Sequence, residues 1–109
     1  VVDILGTEYT VTRNTSAIED MGADGTLAYD KKIIYRELKD FLGKDDSLTA
    51  KRVRRDQVIR HGVIHAFFAE SGLIEYGNDE VLVDWMAKQL PKIQETVEKI
   101  IKVDYFEEG

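Results

Sequence analysis

The feature that most constrains the fold is a helical pattern over residues 48–71 that stops at Gly72. Ser47 or Thr49 can cap its start, and glycine commonly ends a helix because it adopts the left-handed conformation at no steric cost. Around its two histidines the pattern is apolar on almost every face. The sequence therefore predicts a long helix in which the two histidines are buried.

A second helix is predicted over residues 79–102, with Asn78 as its cap. Its apolar residues recur at steps of three and four, which gives one stripe to pack on the core. The stripe comprises Leu82, Met86, Leu90, Ile93, Val97 and Ile100. Pro91 lies within this helix and removes a backbone hydrogen bond to the carbonyl of Ala87, so we expect a kink or a split there.

The first third of the chain is predicted to form β-strands. Two hairpins are predicted, one over residues 1–12 with its turn at Gly6-Thr7 and one over residues 26–36. The last strand, 32–36, begins and ends in charged residues, as expected of an exposed edge. With 109 residues there is room for a single core, so we predict one domain, 1–109. Its fold class is α+β, with a small antiparallel N-terminal sheet packed on two main helices.

Composition narrows the classes of function. A net charge of −6 argues against general binding to nucleic acid, and we interpret the basic residues of 51–55 as a solvated helix face. No segment has the roughly 20 consecutive apolar residues of a membrane span, and nothing resembles a secretory signal, so a cytoplasmic location is expected. The absence of cysteine excludes disulfides and thiolate metal sites, so any metal must be held by nitrogen and oxygen.

The chemistry-bearing feature is a pair of histidines, His61 and His65. On a helix, a spacing of four residues places both rings on one face, close enough to hold one metal ion. Spacing alone favours a plainer interpretation, in which the histidines partner local carboxylates or sit in the core with satisfied nitrogens. The case for a metal therefore depends on a third ligand.

Such a ligand can come from the start of the second helix, where Asp79, Glu80 and Asp84 cluster. If the chain folds back after Gly72, one of them can complete a three-ligand site with water in the fourth position. Acidic residues in a first helical turn also favour the positive end of the helix dipole without any metal. From the residues alone, metal ligation and helix capping are equally good explanations of Glu80.

Four segments carry a resemblance to a known family: RHGVIHAF at 60–67, ESGL at 70–73, NDE at 78–80 and VDWMA at 83–87. Together they resemble the small zinc metallopeptidase-like proteins of phages and prophages that are related to the SprT and ImmA/IrrE groups. The resemblance covers roughly residues 47–95. It implies a zincin-like fold and a zinc cofactor.

In that family a helix carries His-Glu-x-x-His, and a glutamate on the following helix is the third zinc ligand. Carried over to this sequence, the resemblance implies that His61 and His65 are zinc ligands and that Glu80 is the favoured third ligand. Asp84 and Asp79 are the alternatives to Glu80. The strand 32–36 would align an extended peptide or protein partner by main-chain hydrogen bonds. If the protein is phage-encoded, its location would be the cytoplasm of the host cell.

Gly62 departs from the family pattern, because it stands where the family has the glutamate that accepts a proton from the zinc-bound water. Losing a positioned base typically costs roughly 10²- to 10⁴-fold in rate. Three origins fit this glycine: a natural pseudoenzyme, a close backbone approach by a ligand, or an inactivating change. We therefore predict a metallopeptidase-like protein with impaired catalysis, or alternatively a non-catalytic protein-binding module on the same scaffold.

Two further predictions concern aromatic residues. Tyr76, in the loop between the helices, can donate a hydrogen bond to a developing oxyanion, although packing is the more common role for a tyrosine there. Trp85, Phe67 and Phe68 are predicted to be core residues.

Overall fold

The N-terminal hairpin is formed by β1 (Val2–Ile4) and β2 (Thr7–Arg13), which pair antiparallel. The structure is a computed structural model, and it describes residues 1–16, 31–41 and 47–108. The turn residues Leu5 and Gly6 have φ angles of 50° and 90°, the two positive values of a type I′ turn, whose twist matches that of paired strands. The predicted hairpin is confirmed, with its turn one residue earlier than expected.

The third strand, β3 (Lys32–Tyr35), runs parallel to β2, with Thr10 opposite Lys32. The expectation of an antiparallel sheet is therefore wrong at this pair. Parallel neighbours need a crossover of about a dozen or more residues, and the chain between β2 and β3 is long enough to supply one. The predicted strand at 26–29 lies outside the described residues. Within the described part, the sheet has three strands in the order β1-β2-β3, so the predicted α+β class with a small N-terminal sheet is confirmed.

The long helix α1 (Leu48–Glu70) has the ends that the sequence predicts. Ser47 caps it, because its hydroxyl accepts a hydrogen bond of 3.1 Å from the amide of Ala50. After the helix, the amides of Gly72 and Leu73 bond back to carbonyls three and five residues earlier, which is a Schellman motif. The motif requires the φ of +74° that Gly72 adopts, and it turns the chain back along α1.

Two more helices follow the turn, the short α2 (Ile74–Gly77) and the long α3 (Glu80–Glu108). α1 lies between the sheet and α3 and packs an apolar cluster on each side. The sheet-side cluster consists of Ile4, Tyr9, Ile33 and Ala66, with Val11 and Val63 against it. The cluster towards α3 consists of Ile64, Val83 and Ala87, with Phe68, Met86 and Leu90 against it. This two-sided burial explains why the middle of α1 is apolar on almost every face.

A carboxylate at the end of α1 ties that helix to the hairpin. Glu70 accepts hydrogen bonds from the hydroxyls of Thr7, at 2.5 Å, and Tyr9, at 2.7 Å. These two bonds lower the pKa of Glu70. Burial, together with the neighbouring Glu70 carboxylate, raises the pKa of Tyr9 to about 12. The sequence analysis did not single out this interaction, because the residues that form it are far apart in the chain.

Pro91 does not split α3, which continues through it to Glu108. Proline removes the amide that would have bonded to the carbonyl of Ala87. A guanidinium N–H of Arg60, on α1, donates to that carbonyl instead, at 3.2 Å. The neighbouring helix therefore satisfies the acceptor that the proline leaves without a partner, and the predicted split is wrong.

The predicted stripe of α3 is only half buried. Before Pro91 its members are half-buried, and the fully buried residues there are Val83 and Ala87, which the predicted stripe does not include. After Pro91, residues 91–103 are exposed. Two predicted core aromatics are also exposed, Trp85 at 53% and Phe67 at 44%. Trp85 fails as a core residue because it lies about 160° around the helix from Val83, which faces α1. Among the described residues, no helix combines the length and apolar character needed to cross a bilayer.

Candidate metal site

The candidate site begins with two histidines one turn apart on α1. His65 is buried, with 7% of its side chain exposed, and His61 is partly buried at 23%. Their Nε2 atoms lie 3.1 Å apart, and their ring centroids are separated by 4.8 Å. Both rings therefore present the same nitrogen to one point, as the four-residue spacing predicts.

The return of the chain through α2 places the first residue of α3 over this pair. One carboxylate oxygen of Glu80 lies 3.2 Å from Nε2 of His61, and the other lies 3.2 Å from Nε2 of His65. One ligand atom from each of the three residues can be chosen within 4.8 Å of the others. The three side chains are therefore a group that could hold a metal ion.

Protons alone cannot make all three of these contacts favourable while Glu80 is ionised. Each Nε2 carries at most one hydrogen. If both nitrogens donate to Glu80, the 3.1 Å contact between His61 and His65 brings two N–H groups together. If one histidine donates to the other instead, a nitrogen lone pair faces a carboxylate oxygen. A cation between the three side chains would make every contact attractive.

The spacing also fits the coordination of a small metal ion. In a tetrahedral zinc site, Zn–N and Zn–O distances of about 2.0–2.1 Å place neighbouring ligand atoms about 3.3–3.4 Å apart. The three separations observed here are 3.1, 3.2 and 3.2 Å. The two contacts with Glu80 involve different carboxylate oxygens, so the carboxylate has to turn until one oxygen faces both nitrogens before the three ligand atoms form one face of such a tetrahedron.

Burial and a backbone contact prepare His65 as a ligand. Burial lowers its pKa, although the Glu80 carboxylate opposes this effect, and a neutral imidazole is the form that binds metals. A hydrogen bond with the backbone of Gly77 also opposes the lowering, as expected when the ring donates to a carbonyl. A second ring N–H donated in this way fixes the orientation of a metal-binding histidine.

Gly77 holds α2 close to α1. A Cβ added at Gly77 would lie 3.0 Å from the Cβ of Phe68, which is too close for an ordinary contact. Because that Cβ is attached directly to the backbone of α1, it has little freedom to move. The glycine therefore permits the close approach that brings its backbone to His65.

Asp84, an alternative third ligand in the sequence analysis, lies on the other side of His61. Its Oδ1 is 3.9 Å from Nδ1 of His61, and its Oδ2 is 2.9 Å from the ammonium of Lys88. The bond from Lys88 is the main reason that the pKa of Asp84 is lowered. Asp84 therefore faces the Nδ1 side of His61 at a distance longer than a hydrogen bond, and it does not join the group that faces Nε2.

Asp79, the other alternative, caps α3. Its carboxylate accepts a hydrogen bond of 3.1 Å from the amide of Leu82, and the helix begins at the next residue, Glu80. The predicted cap, Asn78, is therefore wrong by one position. Helix capping, which the sequence allowed for the whole acidic cluster, accounts for Asp79.

Gly62 lies buried in α1, beside His61 in sequence. It has no side chain that could accept a proton. In the described part of the chain, the carboxylates that reach the two histidines belong to Glu80 and Asp84. Neither stands at the position of Gly62, so the site has a group that could hold a metal ion and has no base at the position where the resemblance expects one.

Two other predicted features lie outside this group. The ring of Tyr76 is 56% exposed and stacks on Phe68, with centroids 6.4 Å apart, which is a packing contact. In the basic segment, Lys51 donates to the carbonyl of Lys39 at 3.1 Å, and Arg55 pairs with Asp56 at 3.0 Å. Neither contact involves the group around the two histidines.

Comparisons of this chain with protein-family models, with curated proteins and with solved structures found no match.

Proposed function

We propose that this chain is a zinc-binding domain of the metallopeptidase-like type found in phages and prophages, with peptidase activity that is impaired or absent. The observation that carries the proposal is the convergence of two imidazole nitrogens and a carboxylate on one point, at separations of 3.1–3.2 Å. The residues that would hold the metal are His61, His65 and Glu80.

The donor set favours zinc. Imidazole and carboxylate are ordinary zinc ligands, and three protein ligands with an open fourth position are typical of catalytic zinc sites. Zinc, when bound there, would polarise a water molecule or a carbonyl oxygen. Glu80, at 58% exposed, leaves the group accessible from solvent, as a substrate or partner would require.

Impaired catalysis follows from Gly62. A positioned base contributes roughly 10²- to 10⁴-fold to such reactions, and glycine cannot supply one. A glycine inside a helix also costs about 1 kcal/mol relative to alanine, so helix stability does not account for it. The ligand group and the missing base together favour a protein that retains the metal and has lost most of the chemistry.

Metal analysis tests the first part of the proposal. Protein purified without added metal is expected to contain about one zinc per chain, and His61→Ala and His65→Ala are expected to lose it. Glu75→Ala is the matched control, because it removes an exposed carboxylate of α2 outside the group. Zinc-free wild-type protein that also fails to bind added zinc would contradict the proposal.

Restoring the base tests the second part. Gly62→Glu is expected to cleave peptides in a broad substrate screen, while Gly62→Gln, similar in size but without a base, stays inactive. Circular dichroism and zinc content of both variants establish that they are folded and loaded. If Gly62→Glu binds zinc and cleaves nothing, the descent from a peptidase loses its main support.

The same proposal includes a peptide or protein, as substrate or partner, that binds along residues 32–36. β3 is the last strand of the described sheet, and α1, which carries the histidines, packs against it. An extended chain aligned beside β3 by main-chain hydrogen bonds would lie near the helix that holds the metal ligands.

A second candidate is a protein-binding module that uses the scaffold without catalysis. Val81 and Trp85 favour it, because they are 82% and 53% exposed on the helix that begins with Glu80. Exposed large apolar residues close to a site commonly mark a contact surface. Retained capture of a specific partner by metal-free His61→Ala would favour this candidate over the first.

A further inference from the structure

The second half of α3 carries an apolar surface that the described part of the chain leaves exposed. Ile93, Val97, Ile100 and Ile101 fall within about 100° of one another around the helix, at exposures of 39–59%. We call these four residues the arc. The opposite face holds local pairs that stabilise the helix, such as Glu95 with Lys99 at 3.3 Å. The helix is therefore amphipathic over a length where it does not pack on α1.

A groove between α1 and the first half of α3 lies next to the arc. It has a volume of about 390 Å³, and its walls are almost entirely apolar. Phe67, Leu73, Met86 and Leu90 are among the residues that line it. A cavity of roughly 150 Å³ accommodates a benzene ring, so the groove has room for two or three aliphatic side chains.

The arc and the groove form one continuous apolar strip. Met86 and Leu90 in the groove lie on the same face of α3 as Ile93 and Val97, at steps of three and four residues. The strip therefore presents a row of projecting side chains at one end and a depression at the other.

We propose that this strip is a homodimer interface, in which the arc of each copy lies in the groove of the other and the two α3 helices run antiparallel. The twofold axis then passes near residues 91 and 92. Ile93 of one copy lies opposite Leu90 of the second, Val97 opposite Met86, and Ile100 near residue 83. One contact buries both exposed features, and a twofold arrangement closes so that no further copies can add.

The size of the surface supports a second copy as the occupant. The arc together with Phe67 and Leu73 exposes on the order of 500 Å² of apolar side chain, at the upper end of the largest patch usual on a monomer, roughly 300–600 Å². With its polar rim, such a patch approaches the ~800 Å² per partner of a standard interface. No charged residue belongs to the arc, and Arg60, which lines the groove, donates a hydrogen bond to the carbonyl of Ala87.

The mass of the protein in solution tests the proposal. Sedimentation velocity at concentrations up to about 200 µM is expected to show a dimer, because small interfaces of this kind associate in the micromolar range. Ile100→Glu is expected to be monomeric. Lys102→Gln changes the charge of the same helix by the same amount on its polar face, and it is expected to remain dimeric.

Crosslinking tests the antiparallel register. The chain has no cysteine, so an introduced one is unique. Ile93→Cys is expected to form an intermolecular disulfide readily, because the two positions are offset by only about 4.5 Å along the helices. Ile100→Cys is not, because its two positions would be about 25 Å apart. A wild-type monomer at every concentration, an Ile100→Glu dimer, or equal crosslinking at both positions would overturn the proposal.

Discussion

The two halves of α3 have the same sequence pattern and opposite environments. Before Pro91, the stripe residues Met86 and Leu90 are half-buried and pack against the cluster that contains the fully buried Val83 and Ala87. After Pro91, the stripe continues with the same spacing, yet Val97 and Ile100 are 39% and 59% exposed. The periodicity of a helix thus determines which of its faces is apolar, whereas the neighbouring element determines whether that face is covered.

The strongest test of this comparison is one substitution made in each half. Val83→Asp would bury a charge without a partner and is expected to cost more than about 4 kcal/mol of unfolding free energy. Val97→Asp would place its charge at the surface and is expected to change the same quantity by less than about 1 kcal/mol. Urea denaturation with chelator, at low protein concentration, measures both variants in the monomer.

Far-ultraviolet circular dichroism before denaturation identifies an unfolded Val83→Asp, which would count as the expected large effect. The comparison breaks if Val97→Asp is as destabilising as Val83→Asp in dilute solution. That result would mean that the second half of α3 is covered within a single copy.

The boundary between the halves provides the second prediction. Arg60→Met would leave the carbonyl of Ala87 without its donor and is expected to cost about 1–3 kcal/mol. Pro91→Ala restores a backbone amide that can bond to the same carbonyl, so it should reduce the cost of Arg60→Met. A double-mutant cycle by urea denaturation measures this coupling. An equal cost of Arg60→Met with either residue at position 91 would show that Arg60 acts elsewhere.

The features that the sequence could predict are those set by local patterns, and the features that it missed are those set by neighbouring elements. The helices and their ends at Ser47 and Gly72 depend on short-range patterns, and the structure shows each of them. The residues alone left the role of Glu80 open, and only the family resemblance favoured it as the partner of the two histidines, where the structure places it. The exposure of Trp85 depends instead on where α1 lies, which no local pattern gives.

Contacts between distant segments were missed for a related reason. The hydrogen bonds of Glu70 with the hairpin, and that of Arg60 with Ala87, join residues separated by 27 to 63 positions. The direction of β3 likewise depends on a long connection. Side-chain type alone does not specify such partners, because an arginine or a glutamate on a helix can pair equally well with solvent.

The third prediction concerns Asp84, in the packed half of α3. Asp84→Asn would weaken the group that faces Nδ1 of His61, and it is expected to lower zinc affinity about 10- to 100-fold. Competition with a chromogenic chelator measures the affinity. Lys88→Met is the control, because it removes the ammonium that pairs with Asp84 and leaves the carboxylate beside His61. Equal zinc affinities for Asp84→Asn and wild type would exclude an orienting role.

The fourth prediction concerns the hydrogen bonds that join Glu70 of α1 to the hairpin and do not involve α3. Because its pKa is lowered in the folded protein, Glu70 stabilises the fold above the usual carboxylate value of about 4.3. That stabilisation is lost as the pH falls through the lowered value. Tyr9→Phe removes one of the two hydrogen bonds. The unfolding free energy that this variant loses relative to wild type should be largest at pH 7 and smaller at acidic pH.

Urea denaturation at about pH 7, 5 and 3 measures this difference, since the range extends from above to below the usual glutamate value of about 4.3. Tyr76→Phe makes the same chemical change at an exposed tyrosine and should have little effect at any pH. A loss for Tyr9→Phe that does not depend on pH would assign the effect to packing and not to the bond with Glu70.

The smallest expected effect compares an ion pair in each half of α3. Asp84 with Lys88, at 2.9 Å, and Glu95 with Lys99, at 3.3 Å, have the same four-residue spacing. Exposed pairs of this kind contribute about 0.3–0.5 kcal/mol, and salt screens them. Lys99→Met, in the half without tertiary contacts, should cost no more than this and lose its effect at about 1 M salt. A larger cost that survives high salt would mean that Lys99 packs on something, and the second half of α3 would then not be held by local contacts alone.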